Sequence, residues 1–292
     1  MLKCRKGAFM KNFFALRKDG NGVAFDHILR RVSTESETRL DENQGEIKRA
    51  SNKANPKWMQ WVTLAFTVVA AVILSGILEA DVSIKEVYHS KPALIYVCGV
   101  CGVIAIVLWC IIIYRTHKLK KAPAFQKSIE KANNSVAACK LELGIPLNAV
   151  TIDVLCPPVR VNKNGEEKRR TFVNGNTCAN LVVDVFEEDG KLCFADTTYV
   201  FAVPMSAVKS ITKVKKWVTI PTWNKEEAIN SKAYKPYKLM WYEGNITMRW
   251  HYQVIVEIGG EQCEILIPNY EIDNFRKIVP LEIQDPKKKE KR

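Results

Sequence analysis

Two long apolar runs, at residues 58–78 and 93–114, constrain this chain more than any other feature of its sequence. Neither run contains a charged side chain, and each has the length of about 20 residues that a helix needs to cross the hydrocarbon core of a bilayer. Tryptophans lie near their edges, at Trp58, Trp61 and Trp109, as is typical of helices that end at a membrane–water interface. The runs therefore predict two transmembrane helices joined by the short segment 79–92.

Buried core helices and a cleaved signal peptide fit the length and position of these runs less well. Buried helices of soluble proteins are usually shorter and interrupted by polar residues, whereas both runs here are long and uncharged. A cleaved signal peptide has a shorter apolar region close to the N terminus, but the first run begins only at residue 58. We therefore expect both runs to be retained as membrane spans.

The basic residues predict which side of the membrane each segment occupies, because those in short flanking segments are held on the cytosolic side. Those bordering the pair of runs are Arg39, Lys48, Arg49, Lys53, Lys57, Arg115, Lys118, Lys120, Lys121, Lys127 and Lys131. The connecting segment 79–92 contains fewer lysines than acidic residues. We therefore predict a multi-pass protein of the cell membrane with both termini cytosolic and only this segment outside.

The chain is strongly basic, with a formal net charge of +13 over 292 residues. Such a charge suits an anionic cytosolic leaflet as well as nucleic acid, and the apolar runs favour the leaflet. Basic residues concentrate in residues 1–18, which contain no acidic residue, and in the polybasic tail 286–292. We therefore expect the lipid bilayer as a partner and no nucleic acid. Anionic headgroups, a protein partner and a second copy of the chain stay open as further partners.

The cytosolic N-terminal segment, residues 1–57, divides into two parts of different composition. Between residues 2 and 16, apolar side chains recur at helical spacing among basic ones, which predicts a basic amphipathic helix lying in the membrane interface. A mitochondrial targeting sequence has a similar pattern and stays open as an alternative. Residues 33–55 are polar and mixed in charge, so they predict a solvated helix or a flexible linker.

An amphipathic linking helix is predicted within residues 115–144, directly after the second run. Its apolar residues recur at alternating intervals of four and three positions, which is typical of a helix with heptad character. They are Phe125, Ile129, Ala132, Val136, Cys139 and Leu143. Pro123 fits the first turn, and Gly144 with Pro146 fits the end. We expect this helix to pack against the C-terminal domain of its own chain or against the same helix of a second copy.

Residues 145–285 consist of short apolar segments separated by turn residues, a pattern typical of β-strands. The predicted strands are residues 151–155, 181–186, 192–195, 199–203, 217–220, 237–242, 246–250, 252–258 and 263–267. Gly259-Gly260 lies between two apolar runs and predicts a tight hairpin. Residues 269–279 predict a closing helix, whose inner side would carry Ile272, Phe275, Ile278 and Val279. The domain is thus expected to be an antiparallel sheet or a partly open barrel.

Two apolar segments of this domain resemble a known family. The first is the segment from Tyr199 to Met205, which runs on to Ile211. The second comprises the late strands ending at Ile265-Leu266-Ile267-Pro268 and the short helix after them. Both are similar to parts of the PH-like domains attached to membrane helices in bacteria. The resemblance implies a barrel capped by a helix, and a binding or assembly role more readily than catalysis. It contains no ligand motif and therefore assigns no binding residue. The expected fold class is α+β: a transmembrane hairpin plus a cytosolic antiparallel β domain of PH-like type closed by a C-terminal helix.

Nine cysteines are scattered through cytosolic and membrane positions, where we expect reduced thiols. Only Cys98 and Cys101 form a closely spaced pair, and zinc would need two further ligands at the same depth of the membrane. A close helix–helix contact suits this part of the run better, because its residues are small. The small residues are Cys98, Gly99, Cys101, Gly102 and Ala105, expected to face the first run near Ser75 and Gly76.

The sequence contains no constellation typical of catalysis or of metal binding. His27, His89, His117 and His251 are too far apart in sequence for a local metal site, and no glycine-rich phosphate-binding loop is present. We therefore expect no catalytic, cofactor-binding or metal-ligating residues, no cofactor and no enzymatic activity.

Four aromatic residues of the β domain allow two interpretations. They are Tyr237, Trp241, Tyr242 and Trp250. Such residues can line a pocket or a nucleic-acid platform, but at strand spacing they ordinarily form cores or cross-strand pairs. Two hypotheses of function follow. The preferred one is a binding or assembly module tethered under the membrane, and the alternative is a membrane-anchored enzyme or small-ligand sensor with its site inside the β domain.

Overall fold

The structure is a computed structural model that describes residues 10–16, 23–79, 92–161, 167–169, 177–221, 234–242 and 244–284. The chain divides into two compact units. The helical unit comprises Thr34–Ala138, and the β unit combines Met1–Ser33 with Cys139–Arg292. The architecture is therefore mixed α and β, as the sequence predicts, and each unit is described by itself below.

Four helices account for most of the helical unit. They are α1 (Thr34–Ala54), α2 (Lys57–Glu79), α3 (Pro92–Lys121) and α4 (Pro123–Glu142). Two of them, α2 and α3, contain the predicted apolar runs and are long and apolar enough to cross a membrane by length and composition. The third helix continues past the predicted end at Tyr114 to Lys121. Most of the predicted outer segment, residues 80–91, lies outside the described residues.

The helices α2 and α3 pack along each other through small and polar side chains. Trp109 Nε1 donates a hydrogen bond to Thr67 Oγ1 at 3.3 Å, and Cys98 Sγ lies 3.6 Å from the carbonyl oxygen of Ala70. Ala105 is buried. The expected close approach at the glycines does not occur, because a Cβ added at Gly99 or Gly102 would meet no atom within 4 Å.

Large apolar side chains of both helices remain exposed in the isolated chain. Trp61 is 69% exposed on α2, and Ile106 is 65% exposed on α3. Neither helix is therefore a core helix of the described residues, and each presents an apolar surface that water would solvate poorly.

Residues 33–55 were predicted to form a solvated helix or a flexible linker, and the structure shows the helix, α1. This helix pairs with α4. Asn43 Nδ2 donates to Ser135 Oγ at 2.6 Å, and Glu46 faces Lys131 at 4.0 Å. Ser135 is buried by this pairing. The sequence did not predict α1 as the partner of the linking helix, since α1 is polar on most of its surface. At the other end of the helix, Cys139 lies buried in the β unit.

The β unit contains strands at all nine predicted places, with ends shifted by a few residues. In chain order the described strands are β1 (Lys11–Asn12), β2 (Ile28–Arg31), β3 (Val150–Cys156), β4 (Val159–Val161), β5 (Glu167–Arg169), β6 (Ala179–Glu188), β7 (Lys191–Ala195), β8 (Tyr199–Pro204), β9 (Val208–Val214), β10 (Val218–Ile220), β11 (Met240–Tyr242), β12 (Asn245–Met248), β13 (His251–Ile258), β14 (Glu261–Pro268) and β15 (Ile283–Gln284).

Ten of these strands form one large open sheet with the order β15-β9-β13-β14-β3-β6-β7-β8-β2, and β1 adds to β14. Its pairings are antiparallel except for those of β1 with β14 and β15 with β9. A small sheet has the order β10-β12-β11, and β4 pairs with β5. The predicted hairpin at Gly259-Gly260 is confirmed, since Ile258 pairs with Glu261 and both glycines have the positive φ that a tight hairpin turn requires.

The strand β9 escaped the sequence analysis because of a β-bulge. Val256 pairs with Val208, whereas Ile255 pairs with Ser210, so Lys209 is inserted without a partner in the register. The insertion lets Val208 and Ile211 both face the core although they are three positions apart. That spacing is typical of a helix rather than of a strand, and a bulge of this kind cannot be recognised from alternation.

Two apolar clusters lie on opposite faces of the large sheet. The main core takes alternate residues such as Val154 and Ile265, and the second cluster takes their neighbours Leu155 and Leu266. The small sheet covers the second cluster with Ile220 and other residues. The helix α5 (Ile272–Phe275) contributes to the main core.

The prediction of an interfacial helix over residues 2–16 is wrong where the structure describes this segment, from residue 10 onwards. Lys11–Asn12 form β1, and the amide of Phe13 donates to the carbonyl of Glu264 at 2.8 Å. Phe13 is fully buried and Phe14 is 6% exposed. Burial in the core is worth roughly 1.5–3 kcal/mol for each such side chain, which stabilises this placement in the β unit. Residues 1–9 lie outside the described residues.

The closing helix is shorter than predicted. Only Ile272–Phe275 are helical, and turns flank them within the predicted range 269–279. Its predicted inner side faces the main core, where Ile272, Phe275 and Val279 are buried and Ile278 is partly buried. The preceding turn is held by its own contacts, since the hydroxyl of Tyr270 donates to Asp153 Oδ2 at 2.9 Å. The polybasic tail, residues 286–292, lies outside the described residues.

Candidate functional site

The described histidines lie in separate places. His27 stacks on Phe13 with 5.9 Å between ring centroids, His117 belongs to α3, and His251 is buried in β13. His89 lies outside the described residues. Within the part of the chain that the structure describes, no group of three or more His, Cys, Asp and Glu side chains could hold a metal ion.

The eight described cysteines are free thiols. Burial, together with the smaller effect of the neighbouring Cys178, raises the pKa of Cys156 to about 12. Burial also raises the pKa of Cys193 to about 11, with an added contribution from the charge of Glu188. Because the thiolate is the nucleophile, Cys156 and Cys193 are unreactive at neutral pH, and their burial makes them structural residues of the β unit.

The main core of the β unit is filled by aromatic rings. Phe13, Phe194 and Phe275 are fully buried, and Phe201 is 1% exposed. The rings of Phe14 and Phe194 lie 5.4 Å apart, and those of Phe14 and Phe201 lie 6.0 Å apart, both in edge-to-face contact. Such distances are typical of direct ring packing, so these side chains occupy the interior between the strands.

The aromatic residues considered as a platform pack instead against the two cores. Trp250 joins the main core, whereas Trp241 and Tyr237 join the second cluster, each with only partial burial. Burial and a hydrogen bond to Asp273 raise the pKa of Tyr237 to about 12. The core interpretation is therefore confirmed for these three residues, while Tyr242 is placed only by the pairing of its backbone with Asn245.

A basic surface of the β unit lies where the chain passes from the large sheet to the small one. Val214 pairs with His251 in the large sheet, and Val218 pairs with Met248 in the small sheet. The two connecting segments, residues 215–217 and 249–250, therefore run side by side. We call this surface the basic crossing and define it by Lys213, Lys215, Lys216, Trp217 and Arg249.

Cations and aromatic rings alternate within the basic crossing. The Arg249 guanidinium carbon lies 5.4 Å from the centre of the Trp217 ring, and Lys213 Nζ lies 4.9 Å from that of Trp250. Lys215, Lys216, Trp217 and Arg249 are exposed. Neither residues 208–221 nor residues 245–256 contain an acidic residue. The arrangement therefore concentrates positive charge around a half-exposed tryptophan.

A second set of contacts fixes the end of α4 within the β unit. Lys140 Nζ lies 2.6 Å from Asp184 Oδ2 on β6, and Glu142 Oε1 accepts a hydrogen bond from the amide of Ser33 at 2.5 Å. Arg30 on β2 binds both carboxylate oxygens of Glu188 at 2.8 Å each. We call these contacts the clasp. They hold the C-terminal turn of α4 beside the residue that precedes α1.

Sequence reasoning missed both features for different reasons. The basic crossing has a local signal in Lys215-Lys216-Trp217 and Arg249-Trp250, but only the pairing of β9 with β13 brings the two segments together. The clasp has no local signal, since Ser33 and Glu142 are 109 positions apart. No protein-family model matches the chain, and comparisons with curated proteins and with solved structures give no significant match.

Proposed function

We propose that this chain is a two-span membrane protein whose β unit serves as a binding or assembly module at the cytosolic membrane surface, without catalytic activity. The observation that carries the proposal is the contrast between the apolar, phenylalanine-rich interior of the β unit and its exposed basic crossing. Because buried phenylalanines occupy the interior, a partner would bind on the surface. A small-ligand sensor of the alternative kind would instead need space inside the β domain.

The two apolar helices support the membrane part of the proposal. Their exposed apolar side chains need a cover, and a bilayer supplies one for helices of this length. Trp58 and Trp61 near one end of α2 suit the interface. At the corresponding end of α3, Arg115 Nη1 donates to the carbonyl of Ala54 at 3.3 Å, which would place this charge at the cytosolic boundary.

The clasp joins the two places at which the chain enters the β unit. Two connections lead from the helices into the β unit, at Ser33 and at Glu142, and a hydrogen bond joins them directly. The large sheet with its short terminal helix is compatible with the PH-like type that the sequence resembles, and we retain that type as part of the proposal.

Cysteine labelling of intact cells tests the proposed topology. A maleimide that does not cross membranes should label Ser83→Cys in the outer segment but neither Ser51→Cys in α1 nor Ser231→Cys, with the unsubstituted chain as the background. Ser83 and Ser231 lie outside the described residues. Labelling of Ser231→Cys in intact cells would place the β unit outside and would contradict the proposal.

Photocrosslinking in cells tests the binding role. The photoreactive residue p-benzoylphenylalanine at Lys216, in the basic crossing, should form adducts on illumination. The same residue at Lys191, an exposed position at the turn between β6 and β7, is the matched control. Equal yields at the two positions, or no adduct at either, would contradict a specific binding surface at the crossing.

A further inference from the structure

We propose that the basic crossing docks onto the anionic phospholipid headgroups of the cytosolic leaflet in which the chain itself is anchored. This inference rests on the proposed function and names the partner of the same surface. The charge of the crossing, its aromatic residues and its covalent link to the candidate spans each favour this occupant.

The charge of the crossing is not neutralised within the described part of the chain. No described carboxylate pairs with Lys215, Lys216 or Arg249 there, whereas Lys209 at the other end of β9 faces Glu257 at 3.9 Å. Each lysine or arginine near an anionic leaflet strengthens the attraction about fivefold. Several adjacent exposed cations on one short surface therefore suit a dense layer of negative headgroups.

The aromatic residues favour a lipid surface over nucleic acid. A nucleic-acid platform needs ring faces that are free for stacking on bases. In the crossing, Arg249 lies over the ring of Trp217, and Lys213 lies over the ring of the half-buried Trp250. Trp217 is still 49% exposed, and a tryptophan edge beside cations is suited to the headgroup layer, where such rings accumulate.

The crossing belongs to the same chain as the candidate spans, and helices connect the two. The helix α4 has 20 residues and is therefore about 30 Å long. Pro56 separates α1 from α2, and Ala122 separates α3 from α4, so both connections are interrupted next to the candidate spans. Such interruptions permit bending. A surface on the same chain as its membrane anchor meets its own leaflet at a high effective concentration.

The test uses the full chain in nanodiscs, with Trp217→p-benzoylphenylalanine as the probe. One set of nanodiscs contains phosphatidylcholine alone and the other adds phosphatidylserine. After illumination, mass spectrometry should detect an adduct of one phospholipid, at a several-fold higher yield with phosphatidylserine. The same probe at Lys191 should give a low yield in both.

Charge-reversed variants show whether the cations cause the effect. Lys215→Glu together with Lys216→Glu should lower the lipid adduct at position 217 at least to the level in phosphatidylcholine, because each lost cation costs about a factor of five. Lys191→Glu should leave the yield unchanged, and Lys215→Arg with Lys216→Arg should retain it. High salt should also lower the yield, since it screens exposed charges. An unchanged melting temperature of each variant confirms its fold.

Four results would overturn the inference. Equal lipid yields with and without phosphatidylserine would exclude headgroup charge as the cause. An adduct that forms in phosphatidylcholine nanodiscs only after separate phosphatidylserine vesicles are added would assign the surface to an opposing membrane. A protein or nucleic-acid adduct in cells without any lipid adduct would assign another partner, yet leave the proposed binding module in place. Cell-surface labelling of the β unit would contradict both this inference and the proposed function.

Discussion

Lys140 Nζ lies 2.6 Å from Asp184 Oδ2 and so joins the last turns of α4 to β6. The Asp184 side chain is only 7% exposed, and its other oxygen accepts a hydrogen bond from Thr151 Oγ1 at 2.5 Å. A carboxylate with so little contact with water depends on its protein partners. The ion pair between Lys140 and Asp184 therefore contributes more to stability than an ordinary surface ion pair would.

Replacing Lys140 with Met should lower the free energy of unfolding of the full chain by about 1–3 kcal/mol, because Asp184 then loses its charged partner. Urea unfolding in detergent, followed by tryptophan fluorescence, measures the change. Lys127→Met is the matched control, since Lys127 lies exposed on the same helix. Equal effects of the two substitutions would contradict the role of the clasp.

The burial of the N-terminal segment gives a second prediction. Phe13→Ala should destabilise the chain by about 3–5 kcal/mol, which is the usual cost of removing a fully buried phenylalanine. Leu16→Ala should have a small effect, because Leu16 is 50% exposed. Urea unfolding measures the change in the free energy of unfolding for each of the two variants. If the segment lay in the membrane interface instead, Phe13→Ala would weaken membrane binding of the segment and leave the unfolding of the β unit unchanged.

The elements that the sequence predicted well are those specified by nearby residues. The hairpin of β13 and β14 follows from alternation and from Gly259-Gly260, and α2 and α3 follow from uninterrupted apolar runs. The strand β9 was not predicted, because its bulge places Val208 and Ile211 on one face. Alternation is a reliable signal only where the register is regular.

The features that sequence did not predict depend on contacts between distant residues. In the sequence, Phe13 and Phe14 fit one face of a basic helix. In the structure, the strand that precedes them pairs with β14. The clasp pairs Lys140 with Asp184, and the crossing pairs two segments through a sheet. Local propensity carries no information about such partners, and tertiary burial decides between the alternatives.

The buried thiol of Cys156 predicts a loss of stability at alkaline pH. Its pKa is raised from 9.0 to about 12 in the folded chain, so its contribution is complete below pH 9 and is lost as the pH rises towards 12. In that window the unfolded chain releases the proton first, and stability falls by about 1.4 kcal/mol per pH unit. The difference in unfolding free energy between the unsubstituted chain and Cys156→Ala should therefore shrink above pH 9. A difference independent of pH would contradict this assignment.

The pairing of α1 with α4 predicts energetic coupling between Asn43 and Ser135, whose side chains lie 2.6 Å apart. Each single substitution by Ala removes the hydrogen bond, so the double variant should lose less than the sum of the two. The expected coupling is about 0.5–1.5 kcal/mol, measured by urea unfolding of the full chain in detergent. Asn43→Ala combined with Ser128→Ala is the control and should be additive, because Ser128 bonds to its own helix at Ala124. Coupling that disappears on dilution, together with a mass that falls from dimer to monomer, would show instead that α4 pairs with a second copy of the chain.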